Sequence, residues 1–331
     1  DVVEAAAKAL TGGEPACLLL GGAALGEAGL RTAGRIAAAT GCALMVETFP
    51  ARLERGGGLP SPTRLPYFPE QAVQALAPYR QLVLAGAADP VAFFGYRGMA
   101  SSTVPPSTQA CVLASPDADA LAALAALADR VGARQEGPPA SAGDRPELPP
   151  ASPLDPVTIG AVLAALQPDG AIIVDEANTT GLPYNGIADS APRHSYLSLT
   201  GGAIGQGPPV ATGASLACPD RPVIDFQADG SFLYTMQALW TQAREGLDVT
   251  TLVCANRVYR ILQAELWRAG VSEPGPVARG LTDLGSPTID FAAISRGLGV
   301  PASTAATTTE LAEQLQRALG EPGPHLVEMV M

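Results

Sequence analysis

Asp229-Gly230-Ser231 and Asn256 are the residues of this 331-residue chain whose types and spacing best suit chemistry. The acidic turn follows the apolar run "PVIDFQ" (222–227). Asn256 stands 27 positions after Asp229, just past a second apolar run, "VTTLVC" (249–254). The stretch between them is long enough for one crossover helix and a return strand. If the two strands are neighbours, a carboxylate and an amide oxygen meet at one sheet edge, beyond the strand ends where open α/β sheets bind ligands. An Asp carboxylate, an Asn carbonyl and a backbone carbonyl are hard oxygen donors. They suit Mg2+, which takes few protein ligands and completes its shell with phosphates and water. Gly230 and Ser231 open a helix, so their amides and the Ser hydroxyl can face an anion. The stretch has the makings of a magnesium-diphosphate cradle. Asp-Gly-Ser is also a common loop tripeptide, so the weight rests on its surroundings.

The elements that must position these residues alternate. Residues 1–135 carry strand candidates at 15–22, 41–48, 81–87 and 109–115, with helical patterns at 24–40, 69–79 and 117–132 between them. Short, near-continuous apolar strands alternating with helices predict a parallel sheet covered on both faces. Gly21-Gly22 after the first strand is a tight strand-to-helix turn, since "GGAALG" lacks the spacing of a dinucleotide fingerprint. "RGGGLPSPTRLP" (55–66) reads as an irregular loop. Residues 136–154 are a Pro-rich linker.

The second domain, 155–331, opens with Asp155 as N-cap and Pro156 as the first helical residue. A strand at 171–174, the polar loop "DEANTTG" (175–181) and the Gly-rich "GGAIGQGPPVATGASLA" (201–217) follow. A helix over 232–245 places Leu233, Met236, Trp240 and Ala243 on one buried face and ends at Gly246. A last β/α unit covers 288–320, and "HLVEMVM" closes the chain as a strand. The expected fold is α/β, two doubly wound, mostly parallel-sheet domains.

A formal net charge of −12 argues against nucleic-acid binding as a bulk property. Five cysteines without a CxxC pair read as buried free thiols in a reducing cytoplasm. No signal peptide and no apolar run of membrane-spanning length is present, so no membrane partner is expected. Two histidines, His194 and His325, exclude a multi-His metal site. His194 in "APRHSY" suits a pocket acid/base by its chemistry but reads better as an exposed structural residue. His325 reads as structural. Tyr184 and Asn185 lie in a loop after Gly181, and Trp240 and Trp267 read as packing residues.

The segment "ADGS…CAN" resembles the Gly-Asp-Gly, about 25–30 residues, Asn-Asn signature of thiamine-diphosphate enzymes. The similarity is to the acetolactate synthase and benzoylformate decarboxylase group, with pyruvate decarboxylase beside them. Ala228 replaces the first Gly and Ala255 the first Asn, while Asp229 and Asn256 are retained. "TGGAIGQGPP", "DEANTTG" and "PVAFFGYRG" (90–98) extend the likeness over the whole chain, with 157–331 the most specific part. "PVAFFGYRG" and "LTGGAIGQG" resemble segments of a bacterial subfamily labelled acetolactate synthase large subunit.

The resemblance implies thiamine diphosphate and Mg2+ as cofactors, with Asp229, Asn256 and the Val258 carbonyl as metal ligands. It implies that Asn178 and Thr179, with Gly230 and Ser231, hold the diphosphate. The Gly202 carbonyl would accept from the aminopyrimidine, and Ile204 would buttress the bent cofactor. Ile261, Leu262 and Glu265 fall where relatives line the substrate pocket, Glu265 pairing with Arg257 or Arg260 or facing solvent. FAD is not expected, because 1–134 carries no decisive signature for it. The implied activity is acetolactate synthase-like decarboxylation and carboligation of 2-oxo acids. The alternatives are a benzoylformate decarboxylase-like decarboxylase or a non-catalytic cofactor-binding subunit. No histidine near Phe94-Gly95-Tyr96 matches the catalytic one of benzoylformate decarboxylases. The family's activating Glu belongs to a pyrimidine-binding domain that precedes the region matched here, and Glu176 does not occupy its motif position. The catalytic base is therefore unassigned, and the chain alone is expected to be inactive. Relatives form their sites between subunits, which implies a homo-oligomer, dimer or tetramer, in the cytoplasm.

Overall fold

A computed structural model describes residues 2–134 and 145–331. Contacts group the chain into two compact units. One holds the residues before the undescribed segment together with Thr200–Gly202, and the other holds 145–199 and 203–331. Residues 136–144 of the expected linker lie outside the described residues. Residues 145–155 that follow form no helix or strand of their own.

The first unit contains α1 (Val2–Thr11), β1 (Ala16–Leu20), α2 (Glu27–Thr40), β2 (Ala43–Val46), β3 (Leu53–Arg55), β4 (Thr63–Arg64), α3 (Pro69–Leu76), β5 (Gln81–Ala85), β6 (Gln109–Ala114) and α4 (Ala120–Arg130). Five of these strands form an all-parallel sheet in the order β4-β2-β1-β5-β6. β1 is buried throughout as the run "ACLLL", as a central parallel strand covered by helices on both sides must be. Cys17, Leu19, Met45, Leu76, Leu82 and Leu84 form a core on one face. The expected irregular loop 55–66 in fact contributes the short edge strand β4. Two residues carry too little periodicity to be read from sequence.

The second unit contains α5 (Pro156–Leu166), β7 (Ala171–Glu176), α6 (Leu182–Ile187), β8 (His194–Ser198), α7 (Gly207–Ala217), β9 (Val223–Ala228), α8 (Asp229–Phe232), α9 (Ala238–Glu245), β10 (Val249–Ala255), α10 (Arg260–Arg268), α11 (Pro276–Thr282), α12 (Phe291–Gly297), β11 (Ala302–Ala305), α13 (Thr308–Gly320) and β12 (His325–Val330). Within the unit the strands run β11-β12-β10-β9-β7-β8, and every one of these pairings is parallel. The chain is thus α/β with a parallel sheet in each unit. α5 starts as its sequence requires. Asp155 Oδ1 accepts from Thr158 N at 2.8 Å, and Thr158 Oγ1 accepts from Asp155 N at 2.9 Å, a reciprocal cap worth about 1 kcal/mol.

Several expectations fail here. The helix predicted over 232–245 is two pieces, α8 and α9, separated by turns over 233–237. The break turns Trp240 outward: it is 50% exposed, with Arg244 stacked 4.8 Å from its ring centroid. Phe232 and Leu239 take the core positions instead, with Leu233, Met236 and Ala243 packed at their margin. Trp267 is likewise a surface residue, 71% exposed on α10. His194 is not in an exposed loop. It opens β8 and is buried, with Nδ1 2.8 Å from the Pro192 carbonyl. Its "APRHSY" context is polar, but pairing with β7 carries it into the sheet. Tyr184, also expected in a loop, lies in α6. It is fully buried, and its hydroxyl donates to Gln167 Oε1 at 2.6 Å. Among the described residues no helix is long and apolar enough to cross a membrane.

Candidate functional site

The register of the second sheet places the chemistry. Ala228 pairs with Cys254 in the β9–β10 ladder. Asp229 and Asn256 therefore leave adjacent strands at their carboxyl ends, within about one residue of each other along the sheet. On the other side Glu176, the last residue of β7, pairs with Gln227. Three neighbouring strand tips thus open on one edge, and three polar segments leave from it: 177–181, 229–231 and 256–259.

Asp229 is buried, 2% exposed, and its carboxylate is held by main chain. Oδ1 accepts from Gly230 N at 2.8 Å and Oδ2 from Arg257 N at 2.6 Å. Burial pushes its carboxyl above the usual range, while the Arg257 and Gly230 amides pull it down. Among the described residues its hydrogen-bond partners are amides rather than cationic side chains. Asn256 Oδ1 accepts from Val258 N at 2.9 Å, an Asx turn that fixes the amide oxygen. The Val258 carbonyl accepts from Arg260 N at 2.9 Å. Each of these oxygens has a second lone pair for a hard cation.

Ser231 and Asn178 join the 229–231 and 177–181 segments. Asn178 Nδ2 donates to Ser231 Oγ at 2.8 Å and to the Glu176 carbonyl at 3.0 Å. Asn178 holds φ 51° and Arg257 φ 58°. Non-glycine residues in the left-handed region are uncommon and cluster where a site over-determines the backbone. Gly230 has no room for a side chain: a Cβ there would lie 2.4 Å from the Tyr259 ring. The helix expected to start at this turn is the single four-residue turn α8. The Gly230 amide is already committed to Asp229.

Behind this edge, on the face covered by α7, lies a buried polar cluster that sequence reasoning did not find. The Glu176 carboxylate accepts from the amides of Gly205 and Gly207, the latter at 2.6 Å. Gln227 Nε2 donates to Asp225 Oδ1 at 2.7 Å. Asp225 is fully buried, and burial pushes its carboxyl up to about 8, helped by the nearby Glu176 charge and opposed by Gln227. Burial also raises Glu176, against the pull of the two glycine amides. The available signal was the alternation Asp225-x-Gln227 in an otherwise apolar strand, which sets two polar groups on one sheet face. On the opposite face Asp175 braces the 175–181 loop. Its Oδ1 accepts from Ala177 N at 2.9 Å and its Oδ2 from Tyr196 Oη at 2.6 Å.

The remaining sequence candidates are placed as follows. Thr179 follows Asn178 in the same turn and is half-buried. Ile204 is exposed, one residue before Gly205. Gly202 ends the Thr200–Gly202 turn, which groups with the first unit, at φ 70°. Ile261 and Leu262 lie in the first turn of α10, with Leu262 47% exposed. Glu265 pairs with Arg268 at 2.9 Å rather than with Arg257 or Arg260, because a spacing of three brings them onto one helix face. Among the described residues no group of three His, Cys, Asp or Glu is placed to hold a metal. A divalent cation here would be held instead by one carboxylate, one amide oxygen and one carbonyl. The buried Asp229 carboxyl and this hard-oxygen set fit Mg2+.

A parallel sheet with a buried Asp and an Asn at adjacent strand tips is the frame of a diphosphate-binding α/β domain. Residues 183–329 match the thiamine pyrophosphate enzyme, C-terminal TPP binding domain, and the chain is similar to acetolactate synthase large subunits and to benzoylformate decarboxylase. It is 49% identical over 323 residues to a Mycobacterium tuberculosis protein called an acetolactate synthase large subunit, IlvX, covering 97% of this chain and 62% of that one. It is 39% identical over 177 residues to the benzoylformate decarboxylase of Pseudomonas aeruginosa, covering 54% of this chain and 32% of that one. The fold matches the thiamine diphosphate-dependent 4-hydroxybenzoylformate decarboxylase of Rhodococcus jostii RHA1 with a TM-score of 0.81 at 24% identity, over 99% of this chain and 63% of that chain. The chain therefore spans less than two thirds of the length of these relatives.

Proposed function

We propose that this chain is the central and cofactor-binding portion of a thiamine-diphosphate- and Mg2+-dependent enzyme acting on 2-oxo acids, with acetolactate synthase-like decarboxylation and carboligation as its reaction. The observation that carries the reading is the placement of Asp229 and Asn256 at adjacent strand tips, with Asn178 bonded to Ser231 beside them. Asp229, Asn256 and the Val258 carbonyl would hold Mg2+. Asn178, Thr179 and Ser231 would hold the diphosphate oxygens, and Gly202 and Ile204 would face the ring end. When bound, the thiazolium of the cofactor supplies the electron sink for loss of CO2.

The residues of this chain bind and orient. Asp229 would neutralise the cation, and the left-handed backbone at Asn178 and Arg257 shapes the two loops beside it. Glu176 does not serve as a free acid/base, because both carboxylate oxygens are engaged by amides. The chain assayed by itself with 2-oxo acids, cofactor and Mg2+ should release no CO2. In the complete enzyme the site would be shared between copies of a homo-oligomer.

The 39% identity to a benzoylformate decarboxylase supports a second reading, decarboxylation without ligation. Calorimetric titration of the chain with thiamine diphosphate tests the first step: binding should require Mg2+ and vanish with EDTA. Binding that is indifferent to EDTA would remove the metal from the reading. A screen of 2-oxo acids against the full-length enzyme, following acyloin and aldehyde products, separates ligation from simple decarboxylation.

A further inference from the structure

Glu176 holds two loops at once. Its main-chain carbonyl accepts from Asn178 Nδ2 at 3.0 Å, and Asn178 in turn donates to Ser231 Oγ at 2.8 Å. Its side chain reaches the other way. Oε1 accepts from Gly205 N, and Oε2 accepts from Gly207 N at 2.6 Å. The residue is 1% exposed. Gly207 is the first residue of α7, so the carboxylate sits where that helix's unpaired amides favour an anion.

The contacts leave no slack. A Cβ on Gly207 would lie 1.8 Å from Gln227 Nε2 and 2.6 Å from Glu176 Oε2. Gly205 is pinned from its other side as well, because its carbonyl accepts from Thr235 Oγ1 at 2.6 Å. A Cβ on Gly205 would meet the Tyr234 side chain at 2.6 Å. Burying a carboxylate among apolar strands is costly unless its charge is met by good donors. Here both oxygens are met by main chain of one short loop. That arrangement fixes where the loop stands.

We propose that Glu176 is a positioning residue: it couples the Asn178–Ser231 side of the cofactor site to the Gly-rich loop carrying Ile204, so that both ends of one extended ligand are held at a fixed separation. The proposal rests on the thiamine diphosphate reading above. It assigns to Glu176 a part distinct from acid/base chemistry, since both carboxylate oxygens are engaged by the amides of Gly205 and Gly207.

The test compares a long ligand with its diphosphate end alone. Thiamine diphosphate and inorganic pyrophosphate, each with Mg2+, are titrated into the wild-type chain, Glu176→Ala and Glu176→Gln. Amide exchange at Gly205 and Gly207 is followed without ligand. Glu176→Ala should weaken thiamine diphosphate ~10-fold or more, as loss of outer-shell support does, and leave pyrophosphate within about two-fold. Exchange at both glycines should accelerate. Glu176→Gln keeps the volume and one acceptor, should fold in any case, and should shift the ratio of the two affinities in the same sense by less. Equal loss of both ligands in Glu176→Gln, or no loss of thiamine diphosphate in either variant, overturns the coupling. A wild-type chain that binds neither ligand overturns the cofactor reading and the coupling with it.

Discussion

The turn after β1 and the turn after β9 occupy comparable places, each at the carboxyl end of a buried strand in a parallel sheet. The first is closed by backbone. A Cβ on Gly21 would lie 2.6 Å from the Gly86 carbonyl, and one on Gly86 would lie 2.4 Å from the Gly21 carbonyl, so the tips of β1 and β5 press on each other. Gly21 N donates to the Ala85 carbonyl at 3.0 Å. The second is lined by side chains. Asp175, Glu176, Asp225, Gln227 and Asp229 are all buried around the tips of β7 and β9. Glycine in the first unit serves close approach, while glycine in the second makes room for Tyr259, Glu176 and Gln227. The same architecture is thus spent on packing in one sheet and on buried polar groups in the other. Buried carboxyls shifted from their ordinary range are the stronger mark of a ligand site.

The comparison can be broken at either end. Asp229→Ala should have the largest effect, lowering Mg2+-dependent thiamine diphosphate affinity ~100-fold or more. Its circular dichroism should match wild type, and titration calorimetry reads the loss. Gly21→Ala should act oppositely. It should destabilise the first unit by about 2 kcal/mol in urea unfolding, because a methyl cannot enter the β1–β5 contact without moving backbone. Cofactor affinity of the folded protein should stay unchanged.

A pH series sharpens the contrast. Asp225 is raised from the ordinary Asp range, near 3.8, to about 8 by burial. The folded chain therefore holds a proton that the unfolded chain releases. Its contribution to stability is fully present below about pH 4 and is lost as pH rises toward 8. Glu176 and Asp229, shifted in the same direction, add to the slope. Thermal midpoints of the ligand-free protein should fall across that window, and Asp225→Asn should flatten the decline. A midpoint profile that Asp225→Asn leaves unaltered would show that the slope arises elsewhere. The smallest effect belongs to Trp240→Ala, at most about 1 kcal/mol, since its contact with Arg244 is exposed. Thermal unfolding at neutral pH measures it.

The alternation of apolar runs and helical patterns made both parallel sheets legible, because central parallel strands must be apolar on both faces. Asp229 and Asn256 were legible because each follows such a run directly. Trp240 and His194 were misplaced for a shared reason: composition describes a residue's neighbours in the chain, while burial is decided by neighbours in space. The turn that interrupts 232–245 rotates Trp240 outward, and pairing with β7 draws His194 in. The Glu176 clamp was invisible because its donors belong to main chain 29 and 31 residues away. Backbone amides leave no trace in residue type beyond the two glycines that permit the approach.

The β9–β10 ladder acts as a ruler for the site. Asp229 and Asn256 stand together because Ala228 lies beside Cys254, whatever the length of chain that joins them. Extra residues inserted near Gly246, outside both strands, would lengthen the route without moving either end. One residue deleted within 249–255 would instead turn Asn256 to the far side of the sheet. Homologous chains should therefore tolerate variable spacing between these two positions, with all of the variation confined to the crossover.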